Sequence, residues 1–140
     1  MLSFSDTRDI SDSQLRPLYE SVGWTNYTRQ FPDLSVLLKQ VQLVYSAWDG
    51  DRLVGLIRTV GDGLYIQYIQ DILVLPTFQK RGIGAKLLKY VLAESSNIQQ
   101  VMLATDGSAE NEPIREWYTK HGLTEFSQAG TAGFILEKKN

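Results

Sequence analysis

The residues best placed to do chemistry lie between Asp71 and Leu88, in the stretch DILVLPTFQKRGIGAKLL. An apolar run stops at Pro76, which has no N–H to give to a sheet ladder. A polar, basic loop follows, and an amphipathic helix starts at the glycines, with Ile83, Leu87, Leu88, Val91 and Leu92 on one face. A helix N-terminus presents unpaired N–H groups and a partial positive charge. Glycines let a backbone approach a ligand closely. Lys80, Arg81 and Lys86 add cationic charge. Together these features make an anion site, most naturally for a pyrophosphate. The bland alternative is a polar turn leading into an ordinary helix, with Lys80 and Arg81 solvated.

Two phosphate loops fit this stretch poorly. The Gly-x-x-x-x-Gly-Lys-Ser/Thr pattern is absent. Gly82-Ile83-Gly84 matches half of a dinucleotide fingerprint, but Leu87 stands where the third glycine belongs. The acid expected about 20 residues later on the ribose has no convincing strand end to sit on. A nucleotide binder of that type is therefore the weaker reading.

The elements that must position the loop follow from periodicity. Met1 to Phe4 reads as a short strand. Ser11-Asp12-Ser13 supplies N-cap candidates for a helix with Leu15, Leu18, Tyr19 and Val22 on one face, closed by Gly23. Trp24 to Tyr27 reads as an aromatic connection, and a second helix carries Leu34, Leu37, Leu38 and Val41. The period then changes to strands at 42–48 and 53–60, joined by an Asp49-Gly50-Asp51 hairpin turn. Gly61-Asp62-Gly63 turns the chain into a longer strand from Leu64 to Val74, completing an antiparallel meander. Tyr65 and Tyr68 read as core positions of that strand. Val101 to Thr105 is a buried strand after the helix, and such a crossover implies parallel pairing. Asn111-Glu112-Pro113 opens another helix with Ile114, Trp117, Tyr118 and His121 as its stripe and Gly122 at C′. Glu110 and Glu112 suit the positive end of its dipole, and His121 the negative end. Ala132 to Glu137 reads as a last strand, and Lys138 to Asn140 as a tail. The expected class is α+β, with a mixed central sheet and helices on both faces.

With 140 residues, one domain (1–140) with a proper core is expected. Zero cysteines exclude a disulfide framework, a thiolate metal site and a cysteine nucleophile, and fit a cytoplasmic setting. No apolar run approaches the length of a membrane span, and no signal-peptide layout opens the chain, so no membrane partner is expected. A net charge of −2 gives no general attraction to nucleic acid. No metal site is expected.

Gln79-x-x-Gly82-x-Gly84, after a strand ending Val74-Leu75-Pro76, resembles the Gln/Arg-x-x-Gly-x-Gly/Ala motif of the GNAT superfamily of acetyl-CoA-dependent N-acetyltransferases. The element order matches that fold over nearly the whole chain, as does the Asn-x6-Tyr-x3-Gly pattern of Asn111, Tyr118 and Gly122. The resemblance implies a meander plus parallel strands splayed at the cofactor. Backbone groups of Ile72, Leu73 and Val74 would then bond the pantetheine arm, and Gln79, Lys80, Arg81, Gly82, Ile83, Gly84 and Ala85 would hold the pyrophosphate. Asn111 would contact acetyl-CoA near its pantetheine, or serve only as a helix cap. Tyr118 would be the general acid for the departing thiolate, or simply a packed tyrosine beside Trp117. Asp71 is the first candidate for the base, or is paired with a lysine. Trp24 and Tyr27 could line the acceptor pocket or belong to the core. Leu18 to Trp24 resembles the start of small-amine acetyltransferases, so the acceptor expected is a small primary amine attacking directly within a ternary complex. A non-catalytic acyl-CoA-binding module of the same fold is the alternative. Homodimers are common in the family.

Overall fold

The computed structural model describes residues 1–138; of the expected tail, Lys139 and Asn140 lie outside the described residues. The chain forms two compact units, Met1–Ala104 and Thr105 onward.

The first unit is built on a five-stranded sheet in the order β1 (Leu2–Ser5), β2 (Leu43–Asp49), β3 (Arg52–Gly61), β4 (Ile66–Val74), β5 (Gln100–Met102). Pairing is antiparallel from β1 to β4 and parallel between β4 and β5, as the expected meander and crossover require. Seven consecutive residues of β3, Leu53 to Thr59, are buried, so both faces of the sheet are covered at its centre. Helix α1 (Asp12–Ser21), capped by Ser11, buries Leu15, Leu18 and Tyr19. Helix α3 (Ile83–Glu94) buries Ile83, Leu87, Leu88 and Val91. Gly55 lets α3 settle on β3, because a Cβ there would stand 3.0 Å from Ile83 Cγ2 and 3.3 Å from Leu87 Cδ1.

Local chemistry explains where elements begin and end. The meander's first turn is Gly50-Asp51, with Gly50 at φ +61° and Asp49 opposite Arg52. At the second turn the Asp62 carboxylate accepts the N–H groups of Leu64, Tyr65 and Ile66, which holds its pKa below the usual carboxylate value. Those amides cannot join a ladder, so β4 starts at Ile66 rather than Leu64, and Tyr65 is 56% exposed instead of in the core.

The expected aromatic connection is a six-residue helix, α2 (Thr25–Gln30). The second helix expected after Pro32 is a single 3₁₀ stretch, Leu34–Leu38. Arg16 ties this region to α1, donating to Asp12 and to the carbonyls of Thr28, Phe31 and Pro32.

In the second unit, α4 (Glu112–Lys120) carries Glu112 in its first turn and ends at His121. Gly122 follows at φ +94°, the C′ geometry expected of it. His121 Nδ1 bonds the Trp117 carbonyl at 2.8 Å. The strand expected at Ala132 to Glu137 is not formed: the segment has no ladder and is exposed throughout. Its strand-like sequence lacks a partner to satisfy its backbone, which β structure needs and a sequence alone cannot supply.

Replacing Gly55 with Val should push α3 off β3 and lower unfolding free energy by about 1–3 kcal/mol. Urea denaturation followed by circular dichroism measures this, and an unchanged midpoint would contradict the close contact.

Candidate active site

Strands β4 and β5 pair only at Ile66, Gln67 and Tyr68. Beyond Tyr68, β4 continues to Val74 against β3 alone, so its other edge is open among the described residues. The open edge includes Ile72, Leu73 and Val74, with Leu73 buried and its neighbours half-buried. Such an edge offers main-chain donors and acceptors to an extended ligand.

The register changes at one point. Arg58 lies opposite Asp71 and Thr59 opposite Ile69, leaving Gln70 as an extra residue in β4. That is a β-bulge, a device that bends a strand and re-aims its side chains.

Past Val74 the chain makes a short 3₁₀ turn, Pro76–Phe78, and Gln79 Nε2 donates back to the Val74 carbonyl at 3.0 Å. Lys80 (φ +65°) and Gly82 (φ +81°) both take left-handed backbone, which folds the loop over the start of α3. Gly82 is the N-cap, with no side-chain cap, and the first helical bond runs from Lys86 N–H to its carbonyl at 3.1 Å. The N–H groups of Ile83, Gly84 and Ala85 therefore have no acceptor within the helix. No atom lies within 4 Å of where a Gly82 Cβ would sit, so the approach is clear. Phe78 carries the Arg81 guanidinium 4.8 Å from its ring centre and that of Arg52 at 5.9 Å. Lys86 points elsewhere, its ammonium 4.2 Å from the Phe4 ring centre. The loop has what a diphosphate needs: free amides, a positive helix end and local cations.

Beside the open edge is a buried charged cluster. Asp71 is 2% exposed and Arg58 7%. Arg58 Nε donates to Asp71 Oδ2 at 2.5 Å, and the Tyr19 hydroxyl donates to the same oxygen at 2.9 Å. The Tyr27 hydroxyl donates to Oδ1 at 2.7 Å while accepting from Arg58 Nη2 at 3.2 Å and Gln70 Nε2 at 3.1 Å. Burial and then the Asp71 charge push the Tyr19 phenol well above its ordinary pKa and raise that of Tyr27. For Arg58, burial opposes the charged form, but Asp71 outweighs it and the guanidinium pKa rises. Trp24 and Tyr27 are half-buried and pack with Tyr19, the ring centres 5.1–6.4 Å apart. The partner of Asp71 is thus Arg58 and two tyrosines, not a surface lysine.

The first unit brings the strand edge, the glycine loop, Asp71, Trp24 and Tyr27 together. Asn111 and Tyr118 belong to the second. Asn111 is the N-cap residue of α4, yet its side chain does not cap; it donates to the Asp106 carbonyl at 2.6 Å and to Thr105 Oγ1 at 3.2 Å. Tyr118, half-buried with Trp117 against it at 5.2 Å, has its phenol pKa pushed up to about 12 by burial. Sequence reasoning missed Arg58, Tyr19 and Gln70 as parts of the cluster. A signal for Arg58 existed, since a lone charge inside Leu53-Val54-Gly55-Leu56-Ile57-Arg58 needs a buried counter-charge.

A family model described as an acetyltransferase (GNAT) domain matches residues 40–125. An uncharacterized ycf52-like N-acetyltransferase of Prochlorococcus marinus is 31% identical over 109 residues, covering 74% of this chain and 59% of that protein. The chain therefore spans less than two thirds of that relative. An uncharacterized N-acetyltransferase, ycf52, of Porphyra purpurea is 25% identical, covering 85% of this chain and 68% of the relative. Among solved structures, a GNAT-family acetyltransferase of Streptococcus pneumoniae superposes with a TM-score of 0.83 at 34% identity, covering 100% of both chains.

Removing one partner of the buried pair isolates its structural role. Asp71→Ala leaves the Arg58 charge buried and unmatched and should cost about 3–5 kcal/mol of unfolding free energy. Chemical denaturation reads this, and a loss under about 1 kcal/mol would mean the pair is far more solvated than its burial implies.

Proposed function

The chain belongs to the GNAT acetyltransferase family, and on that premise we propose that it transfers acetyl from acetyl-CoA to the nitrogen of a small primary amine. The observation that carries the reading is the opening of β4 away from β5 after Tyr68, leading directly into a loop of unpaired amides at Ile83, Gly84 and Ala85. Backbone groups of Ile72, Leu73 and Val74 hold the pantetheine as an added strand. Gln79 to Ala85 hold the pyrophosphate, Gln79 by bracing the loop against Val74. Asn111 is the side chain we assign to the pantetheine.

The acceptor enters beside Trp24 and Tyr27, whose half-buried rings suit a small organic amine. Its nitrogen attacks the thioester carbonyl carbon, and the oxygen's negative charge is met by a β4 amide near Leu73. As the C–N bond forms, the attacking nitrogen becomes strongly acidic. Its proton passes to the Tyr27 oxygen while the Tyr27 proton moves to Asp71 Oδ1, 2.7 Å away. The transfer accompanies bond formation, because the amine nitrogen becomes strongly acidic only as it bonds to the carbonyl carbon.

The C–S bond then breaks and the thiolate leaves. Tyr118 is the donor to that sulfur. With its phenol near 12 and a thiol near 8.5, complete proton transfer is uphill by roughly 5 kcal/mol. Tyr118 therefore acts chiefly by holding a hydrogen bond to the sulfur as charge builds; the released thiolate takes its proton from water, and Asp71 returns its proton to water through Tyr27, which closes the cycle. Free coenzyme A and the acetylated amine are the products.

Four experiments test this reading. Thiol release from acetyl-CoA across a panel of small amines should show turnover, and Gly82→Glu should abolish coenzyme A binding by calorimetry. It places a carboxylate among the phosphate-binding amides at a φ of +81°. Undiminished uptake by Gly82→Glu would remove the loop from the site, and binding without turnover on any amine would indicate a non-catalytic acyl-CoA module. Tyr118→Phe should lower kcat about 10- to 100-fold with little change in acetyl-CoA affinity. In the parent enzyme, a phenol near 12 predicts no falling alkaline limb from Tyr118 below about pH 11. Equal turnover in the variant would take Tyr118 out of the mechanism.

A further inference from the structure

The Tyr27 hydroxyl has no hydrogen-bonding capacity to spare. A phenol gives one proton, and its oxygen accepts through its lone pairs. The Tyr27 proton goes to Asp71 Oδ1 at 2.7 Å, and its oxygen accepts from Arg58 Nη2 at 3.2 Å and from Gln70 Nε2 at 3.1 Å. An acceptor amine can hand a proton to that oxygen only where one of these two donors gives way. Arg58 is held in place: it is buried, with Nε on Asp71 Oδ2 and Nη1 on the Leu37 carbonyl at 3.5 Å. Gln70 is not. It is the exposed, surplus residue of the β4 bulge, and Tyr27 is the one hydrogen-bond partner of its side chain among the described residues.

We propose that the acceptor nitrogen displaces Gln70 from Tyr27, and that Gln70 then reads the second N–H of a primary amine. This role rests on the acetyl transfer argued above. Before the amine arrives, the Gln70 amide fills the place of the incoming N–H. A carboxamide carries a donor and an acceptor on one planar group, so a half-turn about its last side-chain bond exchanges Nε2 for Oε1. A neutral primary amine brings two N–H groups and one lone pair. The lone pair must face the thioester carbon. One N–H takes the Tyr27 oxygen, and the other meets Gln70 Oε1. A secondary amine has a single N–H, which Tyr27 requires, so the Gln70 oxygen is left facing carbon. Gln70 thus selects the nitrogen by its substitution, whatever carbon skeleton it carries.

Gln70→Met keeps the length of the side chain and removes both amide groups. At an exposed position it should leave the denaturation midpoint unchanged. Thiol release gives kcat/KM for the best amine of the panel and for its N-methyl counterpart in parent and variant, so the bulk of the methyl group cancels. The variant should lose about 10-fold on the primary amine and less than about 2-fold on the N-methyl amine, with KM for acetyl-CoA unchanged. Gln70→Ala, which removes the same groups with less bulk, should show the same split. Equal losses on the two amines, or no loss on either, would overturn the role of Gln70 and leave acetyl transfer standing. A parent that released no thiol with any amine would instead remove the reaction on which that role depends.

Discussion

The interaction on which the most depends is the ion pair of Arg58 and Asp71, because neither charge could remain where it is without the other. Both side chains are almost wholly out of water. A buried charge is tolerated only when paired and hydrogen-bonded, and here Tyr19 and Tyr27 complete the carboxylate's partners. The cluster crosses four elements: α1 through Tyr19, α2 through Tyr27, β3 through Arg58 and β4 through Asp71. It therefore fixes where the short helix α2 lies against the open edge of β4. A six-residue helix has little stability of its own, so its place comes from these contacts and from Arg16.

A second constraint comes from the crossover. Parallel β5 shares only three residues with β4, and the glycine loop must turn the chain within a few residues to start α3. Two left-handed residues, Lys80 and Gly82, achieve this. The same turn leaves the first amides of α3 facing outward. Gly55 works at the other end of that constraint, since only a residue without a side chain lets α3 come down onto the sheet there. Close packing and an exposed anion cradle are thus two results of one arrangement of glycines.

Much of this was legible in the residues. The meander, its turn signals, the glycine loop and the amphipathic faces of α1 and α3 follow from short-range patterns, and short-range patterns are what a sequence states openly. The open edge of β4 depends on where two distant segments stop pairing, and it was reachable only through a family resemblance. The charged cluster was half legible: Asp71 stood out, but its partner lies 13 residues away and across a hairpin. Tyr65 was misplaced because a single carboxylate, Asp62, captured the amides that would have begun its strand. The strand at 132–137 failed for a different reason, since its propensity is real and its partner is missing. Asn111 sits where a cap was expected, but its amide bonds the preceding loop.

The bulge at Gln70 sets the phase of β4. On a regular strand, residues four apart point the same way, yet Gln67 reaches Ser95 at the end of α3 whereas Asp71 reaches Tyr19 on α1. One surplus residue between them shifts the alternation by half a period. Residues in step with Gln67 share its face before the bulge, and residues in step with Asp71 share the opposite face after it. For that phase, the identity of the residue at that place matters less than the parity of the chain. A homologue one residue shorter between these two points would turn its acidic side chain toward the opposite layer, however well the flanking letters aligned.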